Sequence, residues 1–335
     1  MLSLKAKNIK MPTKTIKKNP ILLDNIHAAI LDMMKKVKFD PIKHIYTRVD
    51  DGSWLQGVST VSSIIPKDWL SAWGAKECAK FLGYSDYEGD TERAREILVT
   101  ITSFTDDEDT GGVDGTPIIK GKTKEEKFIE LLKEAKGASG RKSKTALVDG
   151  TAGHAWLESW VKAKIRGTTV PKIPTGPLQR PLKQFVKWAN DNVAYWILSE
   201  ARVAYPEKGY AGTLDGLAMM KTGKLAIIDF KFASHISEDY YLQTSGYQAT
   251  FEPYGVKIDE RIIVRLPKTL EREEYDKVTH KYTMVANDLE VQIVPTEYEL
   301  DRDTFFHCLP VKKWINQFEE KKKYVPKKKK VAAKK

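Results

Sequence analysis

The chain has 335 residues, 41% of them hydrophobic, with 21 glycines, an ordinary globular proportion that argues against a wholly disordered or fibrous protein. No run approaches the roughly 18 apolar residues of a spanning helix, and the N-terminus lacks the apolar core of a secretory signal, so neither membrane insertion nor secretion is expected. The net charge of +11 belongs to the ends: residues 1–20 carry six lysines and residues 321–335 nine, neither with an acid, leaving 41 basic against 45 acidic residues between them. Only Cys78 and Cys308 occur, too few for a disulfide framework or a four-thiolate metal site, which fits a reducing compartment and a cytoplasmic location.

After the basic arm 1–20, Leu22, Ile26, Ile30, Met33 and Met34 recur at helical spacing and predict an amphipathic helix over 21–37. A short extended stretch is expected near Tyr46. The hydroxyl-rich Ser59–Ser63 segment reads as a loop, and a helix is predicted after Pro66 from Leu70, Trp73, Cys78, Phe81 and Leu82. Residues 105–123, with four consecutive acids from Asp106 to Asp109 and the Gly111-Gly112 pair, read as a surface loop. Its acidity would repel DNA.

From Gly150 the pattern predicts helices over about 152–166 and 178–199, then strands over 201–205, 213–220 and 225–232, the last two joined by a turn at Lys221-Thr-Gly-Lys224. A helix over 239–251 follows. Further strands over 261–266, 282–286 and 291–294 precede a closing helix over 301–323. The expected organisation is a basic arm (1–20), a mostly helical segment with an acidic loop (21–149), a catalytic core with its closing helix (150–320), and a lysine-rich tail (321–335).

Chemistry concentrates in two windows, Tyr210-Ala-Gly-Thr-Leu-Asp-Gly216 and Ile227-Ile-Asp-Phe-Lys-Phe232. Strand side chains alternate faces, so Asp229 and Lys231 share one face while Ile228 and Phe230 enter the opposite layer. If the strands pair, Asp215 approaches Asp229, and the carboxylates suit a hard divalent cation such as Mg²⁺ or Mn²⁺. Metal-activated water plus an ammonium aimed at developing charge is the equipment of phosphodiester hydrolysis. Asp-x-Lys in a strand is common, however, and spacing alone proves little. His154 and Glu158, and Gln243 and Tyr247, each lie four apart on predicted helices and so share a face. Either pair alone is more often structural.

The order of these residues is more specific: Gly150-Thr-Ala-Gly-His154, Glu200 at a helix-to-strand junction, Gly212-Thr-Leu-Asp215, Asp229-Phe-Lys231, then Gln243-Thr-Ser-Gly-Tyr247. It resembles the RecB-like branch of the PD-(D/E)XK nuclease superfamily, most of all its phage-encoded exonucleases, over roughly residues 46–313. Val58-Ser-Thr-Val-Ser-Ser-Ile-Ile-Pro66 and Leu70-Ser-Ala-Trp-Gly-Ala-Lys76 add a looser likeness. The resemblance implies an α/β, restriction-endonuclease-like fold with a mixed central sheet flanked by helices, an N-terminal helical segment and basic tails. It also implies that Asp215 and Asp229 coordinate metal, that Lys231 orients the attacking water, and that His154 contacts the metal or its waters. Glu200 matches an additional acidic position, and Gln243 and Tyr247 a helical motif that contacts DNA or orients Lys231. Glu158 has no comparable role. Asp229 stands where many relatives carry Glu, and the four cysteines that hold an iron–sulfur cluster in some are missing. No phosphate-binding loop of a helicase is present.

The implied activity is metal-dependent exonucleolytic cleavage of DNA ends in phage recombination, replication or DNA breakdown. A structure-selective endonuclease on the same core and a catalytically silent DNA-binding protein are the alternatives. DNA is the expected partner, with a single-strand-binding or annealing protein and self-association both compatible. Arg141, Lys142 and Lys144 are expected phosphate contacts or a solvated loop. The lysine tail reads as an electrostatic DNA arm, although Pro326-Lys-Lys-Lys-Lys-Val331 also resembles an import signal.

Overall fold

A computed structural model describes residues 16–67, 69–84, 92–109, 120–276, 278–279 and 281–323. The basic arm up to residue 15, residues 110–119 of the acidic loop and the tail beyond Lys323 lie outside the described residues. The chain divides into two compact units: one holds the described residues up to Ile65, Gly153–Thr269 and those from Asp288 onward, the other those within Pro66–Ala152 and Leu270–Asn287.

The first unit is built on a mixed sheet. Helix α1 (Pro20–Lys36) opens it, with Pro20 in the first turn and the Asn19 side chain accepting from the Leu22 N–H at 3.3 Å. Strands β1 (Val37–Asp40), β2 (Ile45–Arg48) and β3 (Trp54–Gly57) form an antiparallel meander, followed by the five-residue helix α2 (Val58–Ser62). Ser59–Ser63, expected as a loop, therefore lies almost wholly in a helix; burial of Val58 and Val61 beneath the sheet selects the helical turn.

The unit continues with helices α6 (Ala138–Arg166, from Gly153 onward) and α7 (Gln179–Asn192), then β4 (Val193–Tyr205), β5 (Tyr210–Met220), β6 (Leu225–Lys231), α8 (Asp239–Ala249), β7 (Glu260–Arg265), β10 (Glu290–Ile293) and α9 (Tyr298–Lys323). Helix α7 stops at Asn192 rather than 199, because Val193-Ala-Tyr-Trp-Ile-Leu198 is a β-branched and aromatic run that pairs along the whole edge of β5. β5 runs antiparallel to β4 and β6, β6 parallel to β7, and β7 antiparallel to β10. The predicted turn closes with Gly223 at φ +86°, a conformation that favours glycine.

Alternation along the strands feeds two helical layers. Leu225 and Ile227 join α1, α8 and α9 through Met33, Leu242 and Phe305, while Ala226, Ile228 and Phe230 join α6 and α7 through Leu157, Trp160 and Phe185. The expected division at 149/150 lies three residues from the Ala152/Gly153 boundary of the units, but the expected 21–149 segment is itself split after Ile65, because β1–β3 belong to this sheet. The parallel pairing of β3 with β5, at Gln56↔Tyr210 and Gly57↔Ala211, explains why.

The second unit contains α3 (Trp69–Phe81), α4 (Glu92–Thr102), α5 (Lys124–Lys136), the start of α6, and the hairpin of β8 (Glu271–Asp276) with β9 (Lys281–Ala286). α5 begins with a capping box between Thr123 and Glu126. Arg141, Lys142 and Lys144, expected ahead of a helix, lie inside α6. Arg141 stacks over Phe81 and donates to the Glu134 carbonyl, and Lys142 pairs with the nearly buried Glu77. These two cations are thereby engaged within their own unit. Trp73 is half-buried, and the Trp69 side chain lies outside the described residues. Among the described residues no helix is long and apolar enough to cross a membrane.

Candidate metal centre

The site forms where the sheet comes apart. On one edge of β5 the β6 ladder ends at Gly216↔Ile228, and the β3 pairing covers only Tyr210 and Ala211. Residues 212–215 lie between, without a strand partner on that edge. The Phe230 N–H, which a continuing ladder would have matched to a carbonyl, instead donates to Asp215 Oδ2 at 2.8 Å.

Asp215 gathers two more ligand-type side chains. On its other edge the β4 register passes from Ser199↔Gly216 to Ala201↔Leu214, which sets Glu200 across from Asp215. Glu200 holds φ +48°, a left-handed conformation that costs a non-glycine residue on the order of 1 kcal/mol and persists only where the surroundings over-determine it. His154 reaches in from α6, with Nδ1 3.9 Å from Asp215 Oδ2. One donor atom from each of His154, Glu200 and Asp215 lies within 4.8 Å of the others. The approach of α6 depends on Gly153, since a Cβ there would come within 2.2 Å of the Phe232 ring.

Asp229 and Lys231 occupy the same face of β6, as their spacing predicts, while Ile228 and Phe230 enter the α6–α7 layer. The Lys231 ammonium is 2.7 Å from Asp229 Oδ2. Asp229 is fully buried, and among the described residues neither of its oxygens accepts a hydrogen bond apart from that ion pair. Lys231 Nζ also donates to Gln243 Oε1 at 3.0 Å, and Gln243 Nε2 donates to the Tyr247 hydroxyl at 3.0 Å. Two residues four apart on α8 thus form a relay that fixes the ammonium. Tyr247 lies against the backbone at Gly212, where a Cβ would stand 2.8 Å from its ring.

Electrostatics follow from crowding acids in a poorly solvated place. Burial, reinforced by the charges of Asp215 and Glu158, pushes Glu200 up to about 8. Burial likewise raises Asp215 and Asp229, opposed in both by Lys231. Burial alone would lower Lys231, but Asp229 and Asp215 outweigh it and hold the ammonium above its ordinary value. Burial and Lys231 lower His154, favouring the neutral imidazole that a metal requires. The cluster carries excess negative charge that a divalent cation would relieve.

The structure therefore brings His154, Glu200, Asp215, Asp229, Lys231, Gln243 and Tyr247 into one region of the first unit. Of the four residues expected at the metal, His154, Glu200 and Asp215 present convergent donors, while the fourth, Asp229, is held against Lys231. Glu158, without an expected role, stands near enough for its charge to raise Glu200, and it pairs with Lys162. Sequence reasoning missed Tyr240, whose ring faces the Lys231 ammonium at 4.8 Å, although its position three before Gln243 on α8 was a usable signal. It also missed Arg265, buried on β7, which pairs with Glu290 and donates to the Ser234 carbonyl at 3.3 Å, bracing the segment just after Lys231. Nothing in sequence spacing marks that contact.

In comparisons with known proteins, no family model matches the chain and no curated protein does.

Proposed function

We propose that this chain is a Mg²⁺- or Mn²⁺-dependent deoxyribonuclease on a restriction-endonuclease-like core, of the RecB-like PD-(D/E)XK type, acting as an exonuclease on DNA ends. The observation that carries the reading is the meeting of His154, Glu200 and Asp215 beside a buried carboxylate, Asp229, that pairs with the Lys231 ammonium. Two carboxylates and an imidazole form a hard, partly anionic donor set that fits either ion. A bound ion would lower the pKa of a coordinated water and neutralise a phosphate oxygen.

The protein's own groups supply the rest. Lys231, fixed by Asp229, Gln243 and the Tyr240 ring, places a full positive charge where charge builds on the phosphate oxygens in the transition state. Tyr247 holds Gln243 and so limits the positions Lys231 can take. His154, Glu200 and Asp215 are the residues that would hold the cation. The preference for ends over internal bonds rests on the order of motifs and their likeness to phage exonucleases.

The direct experiment incubates the purified chain with end-labelled linear DNA, single- and double-stranded, and with closed circular DNA, in Mg²⁺, Mn²⁺ or EDTA. Progressive release of nucleotides from linear DNA with either metal, abolished by EDTA, is the expected result. Cleavage of closed circles would move the assignment to an endonuclease, and intact substrates under every condition would reject nuclease function.

A further inference from the structure

We infer that Arg202 forms a phosphate subsite next to the metal centre, holding the phosphodiester adjacent to the one being cut. The inference rests on the nuclease reading and adds the residue that sets the substrate strand in register.

Arg202 pairs with Thr213 across β4 and β5, two residues along the same ladder from Glu200 and Asp215. Glu200, Arg202, Thr213 and Asp215 are all half-buried, whereas Ala201, Val203, Leu214 and Gly216 between and around them are buried. The four side chains therefore line one accessible strip. Two residues along a strand span about 6.7 Å, comparable with the step between successive phosphates of a nucleic-acid strand.

Arg202 is also uncommitted. Among the described residues it makes no hydrogen bond or ion pair, although the other arginines along the sheet, Arg48, Arg261 and Arg265, are all paired. A half-buried guanidinium without a carboxylate, beside a cluster with too many, is placed to meet a polyanion. Its neighbour Tyr46 donates to or accepts from the Thr213 hydroxyl at 2.8 Å and senses the charges of both Glu200 and Arg202. Tyr46 is itself held by stacking on Phe39 at 4.7 Å.

The test uses the full chain and a short fluorescein-labelled single-stranded oligonucleotide, with Ca²⁺ in place of Mg²⁺ during binding to suppress cleavage. Arg202→Gln should weaken binding about tenfold and reduce the slope of log affinity against log salt by about 0.7, the contribution of one phosphate on a single strand. Arg202→Lys should keep the slope. Mg²⁺ affinity and melting temperature should stay at wild-type values, since no protein contact is lost, while KM for DNA should rise about tenfold. If wild-type protein binds and cleaves DNA and Arg202→Gln does so with equal affinity and slope, this inference alone is overturned. A change in Mg²⁺ affinity without a change in DNA affinity would make Arg202 a counter-charge of the cluster and overturn it too. If the wild-type chain binds neither this oligonucleotide nor its duplex, the nuclease reading fails and the subsite with it.

Discussion

Replacing Lys231 with alanine should reduce kcat for DNA cleavage by about 10²–10³-fold, roughly 3–4 kcal/mol, while leaving DNA affinity within a few-fold of wild type. The asymmetry follows from where the ammonium sits. It is almost enclosed, 2.7 Å from Asp229 and 3.0 Å from Gln243, so it contributes little to the long-range attraction of a polyanion. What it supplies is a fixed charge at the point where the transition state is more negative than the substrate. Removing it leaves the Asp229 carboxylate without its ion-pair partner, in a place where burial already disfavours its charged form. Single-turnover cleavage together with equilibrium DNA binding separates these effects. A variant that cleaves at the wild-type rate would remove Lys231 from the chemistry, and one that loses binding as strongly as cleavage would make its role structural.

The second large effect concerns protons. In the fold Glu200 is raised from 4.5 to about 8, so between those values the metal-free folded chain holds a proton that the unfolded chain releases. Stability must then fall as pH rises through this range and level off above about 8. Asp215 and Asp229, also raised, act in the same direction. His154 is lowered from 6.5 and acts oppositely, costing stability only as pH falls below its ordinary value. Above about 6.5 the His154 contribution is over and Asp229, pushed up to about 6, is already largely ionised, so in the window up to about 8 Glu200 dominates. Unfolding by denaturant in EDTA should show a loss on the order of 1–2 kcal/mol across it, largely absent in Glu200→Gln. Mg²⁺ uptake at pH 7 should release close to one proton, measurable by calorimetric titration in buffers of different ionisation enthalpy. Uptake without proton release would place Glu200 outside the metal's reach.

Much of this region was legible in the sequence because strand and helix periodicities are local. Asp229 and Lys231 share a face simply by standing two apart, and Gln243 and Tyr247 by standing four apart, so the relay on α8 needed only the correct element types. The convergence of His154, Glu200 and Asp215 was only partly legible. It depends on the β4–β5 register and on the left-handed backbone at Glu200, both consequences of long-range pairing. The same limit explains the errors of boundary. β4 begins inside what reads as a continuing helix after Asn192, where two register shifts break the alternation of burial that would mark a strand, and β1–β3 reveal their allegiance only through two parallel pairs with β5. The lysines and arginine at 141–144 reside in α6, where Phe81 and Glu77 engage two of them, contacts that no short-range pattern announces.

The account stands on a divalent cation being held where β5 loses its partner. Titrating Mn²⁺ into metal-free wild-type protein and into Asp215→Asn, with the bound ion followed by electron paramagnetic resonance, addresses that directly. The expected result is saturable binding by the wild type that is lost or weakened by more than tenfold in the variant, with the fold intact by circular dichroism. Equal binding by both proteins, or none by either, would contradict it.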